Sequence, residues 1–436
     1  MMMRDTHRPT AEDSAVDREG VAKPPRRGSS RLLGAGYKLA SYGATTLLLG
    51  AVGLVQLPMV IGVGGESVWV AYSLGQSAGV VLANISGLGW VVTGPASIAR
   101  ASSTVQRIEL ARSVTGRLIA GLVLLALTSP ILVVVCAAEP AVAVLAAAAT
   151  VATSLSSTWF FVGKNSPVGL LLWDTIPRTV FTVAGLLAMF ASSSVQAGLW
   201  VIVVGTVACP YLFLCRIYRR SWRLLLRDLF NLRAVWSSSA RNSSGVGISL
   251  VSSLSMTAPL WVAAMLLSPT SFAQYALIDK VSKQILMGTS PIVNVLQGWV
   301  PNGPDGSARA SRARISIVLA TAAALCGCIC MIIAGSLIYS LLSAGVILVS
   351  GWIAVLSAVM AGSLFLQRVV VRSALVPVGL DRIAFIVSTG STIAGLALGA
   401  LAALYWGIAG LIGGVVFGQI LAILIGAIFV WKVESI

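Results

Sequence analysis

The sequence is poor in chemically reactive side chains. Histidine occurs once, at His7, and the six cysteines include a close group in which Cys326, Cys328 and Cys330 have no second cluster to pair with. A zinc site or a histidine-based catalytic centre is therefore not expected. The sequence also lacks a phosphate-binding GxxxxGK[ST] motif, a nucleophile elbow and a dinucleotide-binding glycine motif. We predict that the protein is not an enzyme and binds neither a cofactor nor a metal.

Charge is also scarce, since only 10% of the 436 residues are charged while 57% are hydrophobic. This composition lies far outside the range of soluble globular proteins. Uncharged apolar runs of about 18 residues or more can cross a bilayer as helices, and continuous runs such as LLLGAVGLVQLPMVIGV do not alternate as barrel strands do. We predict an all-α integral membrane protein with about twelve transmembrane helices. The runs cover 41–63, 67–94, 117–136, 140–163, 167–191, 195–216, 244–268, 271–300, 314–342, 345–367, 380–404 and 406–431.

Negative charge is scarcer than positive charge, with 14 Asp and Glu residues against 30 Lys and Arg residues. The basic residues gather in alternate connections, of which the first holds Arg100, Arg107, Arg112 and Arg117, whereas the opposite connections lack Lys and Arg. By the positive-inside rule the basic side is cytoplasmic, so both termini are cytoplasmic and the protein resides in the cell membrane. The net charge of +16 then indicates contact with anionic membrane lipids, and nucleic acid is not needed to explain it.

One segment recurs at an offset of 209 residues: GWVVTGPASIARAS at 89–102 and GWVPNGPDGSARAS at 298–311 share nine of fourteen positions. In the predicted topology each copy ends the second helix of a set of six. Because six is even, the two halves share one orientation and form a parallel repeat. The predicted organisation is a disordered basic cytoplasmic tail (1–38), a six-helix bundle (39–216), a basic amphipathic linker (217–243) and a second six-helix bundle (244–432). The long polar tail predicts no cleaved signal peptide.

Three features together resemble the oligosaccharide (O-antigen, Wzx-type) flippases of the multidrug/oligosaccharidyl-lipid/polysaccharide exporter superfamily. They are the second-helix stretch GESVWVAYSLGQSAGVVLANISGLGWVVTGPASIARA, the Trp159-Phe-Phe-Val-Gly163 sequence ending the fourth helix, and the glycine-rich last helix. The resemblance implies a MATE-like fold with two bundles around a central cavity. It also implies that an undecaprenyl-pyrophosphate-linked oligosaccharide is moved from the inner to the outer leaflet, with glycosyltransferases or a polymerase of the same pathway as partners.

Charged residues inside the predicted helices are the candidate substrate-binding residues, because each costs about 2.5–3.5 kcal/mol at the bilayer centre. The fifth helix holds Asp174 and Arg178, four residues apart and so on one face, with Pro177 between them as a predicted kink. The eighth holds Asp279, Lys280 and Lys283. An alternative is that both acid–base pairs are internally neutral and only assist helix packing.

Three cations against two carboxylates favour a cavity for an anionic group, such as a pyrophosphate or an acidic sugar. Gln76 and Asn84 of the second helix are further candidates for its lining. Two other functions stay open at this point. A multidrug exporter of the same fold would need an acidic, aromatic cavity, and a transport-inactive scaffold for cell-envelope enzymes would tolerate replacement of the buried charges.

Overall fold

The computed structural model describes residues 28–219, 221–241, 244–303 and 305–432. Residues 1–27 of the predicted tail lie outside the described residues. The chain divides into two units, residues 1–40 and residues 41–436, and the second contains all of the predicted spans. The described residues contain helices and no strand. In chain order the helices are α1 (Gly28–Ser86), α2 (Trp90–Arg100), α3 (Ser103–Val135), α4 (Pro140–Ala152), α5 (Thr158–Gly163), α6 (Pro167–Leu170), α7 (Ile176–Ser192), α8 (Val195–Ile217), α9 (Trp222–Phe230), α10 (Leu232–Arg241), α11 (Ser244–Leu266), α12 (Pro269–Trp299), α13 (Gly306–Leu342), α14 (Gly351–Val369) and α15 (Asp381–Lys432).

Twelve membrane-spanning segments follow from these helices, as predicted. Eight stretches of the described chain are long and apolar enough to cross a membrane. Two of the eight are each broken into two spans by a glycine with positive φ, at Gly65 (φ 73°) in α1 and Gly407 (φ 55°) in α15. Only glycine adopts such angles without strain, so each break serves as a turn with no loop. α11 and α12, both long enough to span, complete the set of twelve.

Two spans are interrupted where they face each other. The fourth span consists of α4, a 3₁₀ turn over Thr153–Leu155 and α5. The fifth consists of α6, a π-helical turn over Leu171–Thr175 and α7. Pro177 is the second residue of α7 and lies just after this π turn, so the departure from regular helix predicted from the proline is present.

The packing differs at the two ends of the molecule. At the arginine-free end one hydrophobic cluster joins both halves, and it includes Trp69 and Leu57 of the first half with Phe272 and Tyr339 of the second. At the arginine-rich end the halves have separate clusters, one around Trp159 and the others built only from second-half residues. The two halves are therefore held together chiefly at the arginine-free end.

The two copies of the repeated segment lie at the ends of matching spans but differ in local structure. The first copy is helical over Trp90–Arg100, and Trp90 is 1% exposed. In the second copy α12 ends at Trp299, which is 36% exposed, and α13 begins at Gly306. Asp305 caps α13, since its carboxylate accepts a hydrogen bond from the Ala308 amide at 2.7 Å. The two copies therefore occupy equivalent positions in the two halves but have different backbone conformations.

The predicted amphipathic linker between the halves consists of two short helices, α9 and α10. The chain breaks at Asn231, whose side chain accepts a hydrogen bond from the Ala234 amide at 3.1 Å and so starts a new helix. Leu225 and Val235 are buried against the first half, and Ser238 donates a hydrogen bond to Glu109 of α3. The linker is thus packed on the first half.

Trp159, Phe160 and Phe161, at the end of the fourth span, are buried inside the first half. Their side chains are 1%, 2% and 4% exposed, and Trp159 packs against Trp90 with ring centroids 4.6 Å apart. Aromatic side chains bury large areas, and here they form the core of the first half at the arginine-rich end.

Candidate functional site

Asp174 and Arg178 form the ion pair that their spacing predicts. Nη1 of Arg178 lies 3.2 Å from Oδ2 of Asp174, whose side chain is 4% exposed against 17% for Arg178. Asp174 sits on the π turn, while Arg178 lies in the first turn of α7. The carboxylate is therefore shielded and the guanidinium is the partner with access to open space.

The broken fourth span holds Asp174 in place. The Ser157 amide donates to Oδ1 of Asp174 at 2.8 Å, and the Ser156 hydroxyl donates to Oδ2 at 2.9 Å. These two donors are available because the chain leaves helical geometry at Ser156 (φ −49°, ψ 137°). The carboxylate is therefore fixed in position by donors from the facing span as well as by Arg178.

Arg117 is a buried charge that was predicted to lie in an arginine-rich connection between spans. The structure corrects this, because α3 begins at Ser103 and Arg117 lies within it, 0% exposed. Its Nη1 donates to the carbonyls of Ser154 and Ser156, its Nε to the Ser113 carbonyl at 3.1 Å, and its guanidinium carbon lies 5.8 Å from the Trp159 ring centroid. The sequence feature that indicates burial of Arg117 is its position at the start of a long apolar run.

Arg117, Asp174 and Arg178 therefore belong to one network. Arg117 bonds the carbonyl of Ser156, and the hydroxyl of the same serine bonds Asp174, which pairs with Arg178. Arg117 and Asp174 also interact electrostatically. One carboxylate thus serves two guanidinium groups, and the network has an excess of one positive charge.

The exposed side of this network opens into a cavity of about 160 Å³ within the first half, which we call the inner cavity. Arg178, Gln76 and Gln56 supply its strongest hydrogen-bonding side chains, and Gln56 was not among the predicted residues. Among the described residues, no carboxylate contributes to the lining. The remaining lining residues are Leu49, Tyr72, Ala146, Ala149, Thr150, Thr153, Thr182, Leu199, Ile202 and Thr206.

Lys280 joins this cavity to the second half. Its ammonium group donates a hydrogen bond to Oε1 of Gln76, and Nε2 of Gln76 donates to the Tyr72 hydroxyl at 3.1 Å. Nearer the arginine-free end, Nε1 of Trp69 donates to the Ala273 carbonyl at 3.1 Å. The second and eighth spans thus run side by side, with polar contacts between the halves at two depths.

The other predicted residues divide into two cases. Asp279 and Lys283 pair at 2.6 Å as their spacing predicts, with side chains 15% and 30% exposed. Asn84 donates to the Val80 carbonyl of its own helix at 2.9 Å and is not among the residues lining the inner cavity. The structure therefore brings Gln76 to the cavity and leaves Asn84 away from it.

Taken together, the site holds four cations and two carboxylates among the described residues. Each carboxylate is already paired at 3.2 Å or less with a cation on its own span. Within this part of the chain, the positive charges outnumber the carboxylates by two in a partly buried region. Such a region favours an anionic ligand, which would replace the missing countercharge.

No family model matches this sequence, and no curated protein matches it. Solved structures do match. The lipid II flippase MurJ in an inward closed conformation superposes with a TM-score of 0.55 at 11% identity, covering 89% of this chain and 87% of that chain. A transporter of the MOP superfamily from Pyrococcus furiosus, described as having a binding pocket of reverse polarity, superposes with a TM-score of 0.52 at 12% identity. The match covers 91% of this chain and 94% of that chain. The MATE transporter VcmN of Vibrio cholerae, in a mutant form, superposes with a TM-score of 0.51 at 15% identity. The match covers 93% of this chain and 97% of that chain.

The chain therefore has a MATE-like fold, with twelve spans in two parallel six-helix repeats. The matched proteins are transporters and a flippase. Identities of 11–15% establish the fold alone. The substrate has to be inferred from the site.

Proposed function

We propose that the protein is a secondary transporter that flips an undecaprenyl-pyrophosphate-linked oligosaccharide from the cytoplasmic to the outer leaflet by alternating access of its two halves. The observation that carries this proposal is the excess of partly buried cations, with Arg178 in the inner cavity and Lys280 bridging the halves through Gln76. A pyrophosphate supplies pairs of anionic oxygens that the planar guanidinium group binds through two parallel hydrogen bonds. The polyprenyl chain would stay in the lipid outside the cavity.

The charge distribution favours this substrate over a cationic drug. The described lining of the inner cavity has no carboxylate, and Asp174 accepts hydrogen bonds from Ser156, the Ser157 amide and Arg178. A drug cation would find no free countercharge among these residues. The runner-up function, a multidrug exporter, is favoured only by the fold shared with a MATE transporter.

The packing supports loading from the arginine-rich side. The halves share a hydrophobic cluster at the arginine-free end and have separate clusters at the other end. A conformation of this kind admits a headgroup from the side where the halves part. If that side is cytoplasmic, as the arginine distribution predicts, both termini are cytoplasmic and the substrate enters where glycosyltransferases build it. Those enzymes or a polymerase of the same pathway are the proposed protein partners.

The linker supplies the proposed contact with anionic membrane lipids. Its outward face carries Trp222, Phe230 and Trp236, which are 62%, 74% and 72% exposed, next to the exposed Arg227. Aromatic and basic side chains on short amphipathic helices bind the headgroup region of anionic membranes. This arrangement would hold the arginine-rich end of the first half at the membrane surface.

The proposal is tested by reconstituting the purified protein in vesicles and following the transfer of undecaprenyl-pyrophosphate-linked oligosaccharide between leaflets. We expect Arg178→Gln and Lys280→Met to lower the transfer rate at least tenfold, with the amount of folded protein unchanged. The matched control is Arg382→Gln, which removes an exposed arginine at the start of α15, remote from the inner cavity lining.

Each rival function predicts a different result in this assay. A multidrug exporter would leave lipid transfer at the background rate and would move a cationic dye. A transport-inactive scaffold would show neither activity, and both substituted proteins would still support glycan synthesis in cells. Either pattern would contradict the proposed flippase.

A further inference from the structure

The tenth span carries two arginines that are not among the residues lining the inner cavity. Arg368 lies in the last turn of α14, and Arg372 lies in the π-helical turn over Val370–Leu375 that follows. The two are four residues apart, so they lie on one side of the span. Arg368 is partly buried and Arg372 is exposed. The span therefore presents two guanidinium groups near its arginine-rich end.

Neither arginine has an acidic partner within the described chain. Nη1 of Arg368 donates to the Leu286 carbonyl of α12 at 3.4 Å. The charged neighbour that acts on Arg368 is Arg372, and the two like charges repel each other. Asp279 of the adjoining span is already paired with Lys283 at 2.6 Å. Two adjacent guanidinium groups without a carboxylate favour an anionic ligand.

The adjoining span, α12, has polar residues along one of its sides. Five of them follow one another at intervals of four, seven, four and three residues, a spacing that keeps them on one side of a helix. Ile285, Ile292 and Trp299 occupy the opposite side. Polar side chains within a membrane span usually face the interior of the bundle or a water-filled space. The five residues, which we call the polar stripe, are Asp279, Lys283, Ser290, Asn294 and Gln297.

The polar stripe lies between the first half and the arginines of the tenth span. On one flank of the stripe, Lys280 contacts the first half through its hydrogen bond to Gln76. On the other flank, Nε2 of Gln297 donates to the Arg372 carbonyl at 3.2 Å. The halves have separate hydrophobic clusters at the arginine-rich end, so the stripe borders the opening between them there. Arg368 and Arg372 therefore lie beside this opening.

The cations of the second half form a series that leads toward the inner cavity. Arg372 and Arg368 are about 6 Å apart along the tenth span. Arg368 is bonded to the carbonyl of Leu286, which lies about 5 Å along α12 from Lys283. A further 5 Å or so along the same helix is Lys280, at the edge of the inner cavity. Each cation is thus about one helical turn from the next.

We propose that Arg368, Arg372 and Lys283 form an entry site, which binds the diphosphate of the lipid-linked substrate before it reaches the inner cavity. This role rests on the proposed flippase function. The guanidinium groups bind pairs of phosphate oxygens, and the ammonium group of Lys283 adds a mobile point charge. Asn294, exposed on the same polar stripe, adds an amide donor. The headgroup is held here while the halves are apart at the arginine-rich end.

Titration calorimetry of the full-length protein in detergent with inorganic pyrophosphate tests the site itself. We expect two binding equivalents, one in the inner cavity and one at the entry site. Arg178→Gln should remove only the first, and the double variant Arg368→Gln/Arg372→Gln only the second. Pyrophosphate binding that is unchanged in the double variant would overturn the proposal. The matched control is Arg309→Gln, because Arg309 is an exposed arginine in the same half that bonds only the Asp305 carbonyl of its own helix start.

Lipid transfer in reconstituted vesicles tests the entry role. The double variant should raise the substrate concentration that gives half-maximal transfer at least fivefold, with the maximal rate within about twofold of the unaltered protein. Arg178→Gln should instead lower the maximal rate. An unchanged concentration dependence in the double variant would overturn the entry role. If the unaltered protein moved no lipid while the double variant still lost one pyrophosphate equivalent, the flippase function would fail and the anion site would stand.

Two further measurements exclude misfolding and binding of membrane headgroups as explanations. Arg372→Gln alone removes an exposed side chain and leaves the bond from Arg368 to Leu286 intact, so it should fold normally and weaken pyrophosphate binding at least threefold. Circular dichroism and size-exclusion chromatography verify the fold. Short-chain phosphatidylglycerol at an equal concentration should leave pyrophosphate bound. Displacement of one equivalent by this lipid would assign the two arginines to membrane headgroups and overturn the proposal.

Discussion

Lys280 in the second half donates a hydrogen bond to Gln76 in the first, and Gln76 also lines the cavity that contains Arg178. The two residues lie about two helical turns from the Trp69–Ala273 hydrogen bond, which also joins the halves. A movement that separates the halves at the arginine-free end has to break both contacts. Of the two, only the Lys280 contact brings a charge to the edge of the inner cavity.

Lys280→Met is therefore expected to lower transport at least tenfold, because it removes both the bridge and one of the unpaired cations. Trp69→Phe removes the other hydrogen bond between the halves without changing any charge, so we expect transport within about threefold of the unaltered protein. Lipid transfer in reconstituted vesicles measures both. Equal losses in the two variants would indicate that bridging alone matters and that the charge of Lys280 does not.

Asp174→Asn should destabilise the protein by about 3 kcal/mol, because removing one partner of a buried ion pair leaves an uncompensated charge. Here two guanidinium groups, those of Arg117 and Arg178, lose their carboxylate together. The double variant Asp174→Asn/Arg178→Gln should recover part of the lost stability. Denaturant unfolding in detergent gives the free energies. If the double variant lost as much free energy of unfolding as the two single variants added together, Asp174 and Arg178 would not be energetically coupled.

Arg117 and Arg178 should respond differently to replacement by lysine. One ammonium group cannot bond the carbonyls of Ser113, Ser154 and Ser156 at once, so Arg117→Lys should lower the melting temperature clearly. Arg178→Lys keeps a charge that reaches the inner cavity, and we expect near-normal stability with partial transport. Thermal unfolding and vesicle transport measured on the same samples separate the two roles. Similar melting temperatures for both variants would count against a structural role for Arg117.

The glycines of α15 offer a matched pair for packing. A Cβ atom at Gly414 would lie 2.1 Å from Cα of Gly399, whereas a Cβ at Gly413 would meet nothing within 4 Å. Gly414→Ala should therefore cost about 1–3 kcal/mol through overpacking of the last two spans. Gly413→Ala should leave stability unchanged or slightly improved, since alanine favours a helix. Unfolding of the two variants side by side checks the difference, and equal stability would mean that the spans separate at this point without cost.

The sequence predicted the number of spans, the repeat and both ion pairs because these depend on local patterns. Apolar runs define membrane helices, and residues four apart share a helix face whatever surrounds them. Asp174 with Arg178, and Asp279 with Lys283, were found for this reason. Such local rules gave no indication that Lys280 would reach Gln76, which is 204 residues away.

The parts that were missed depend on packing between helices. Arg117 was placed in a connection because arginines precede it, but α3 already starts at Ser103 and carries the side chain into the protein. The burial of Trp159 could not be predicted either, since composition alone cannot distinguish a tryptophan at the membrane surface from one packed on Trp90. In both cases the decisive partner belongs to a different helix, and no pattern within one helix identifies it.

The glycine turns at Gly65 and Gly407 leave the arginine-free face almost without loops. Leu267 and Ser268 alone connect α11 to α12, and Ser193 and Ser194 alone connect α7 to α8. Antibodies, proteases and labelling reagents applied to that face therefore have little chain to recognise. Residues 343–350, between α13 and α14, form the longest connection there. They are the place to insert an epitope tag that reports which side of the membrane this face occupies.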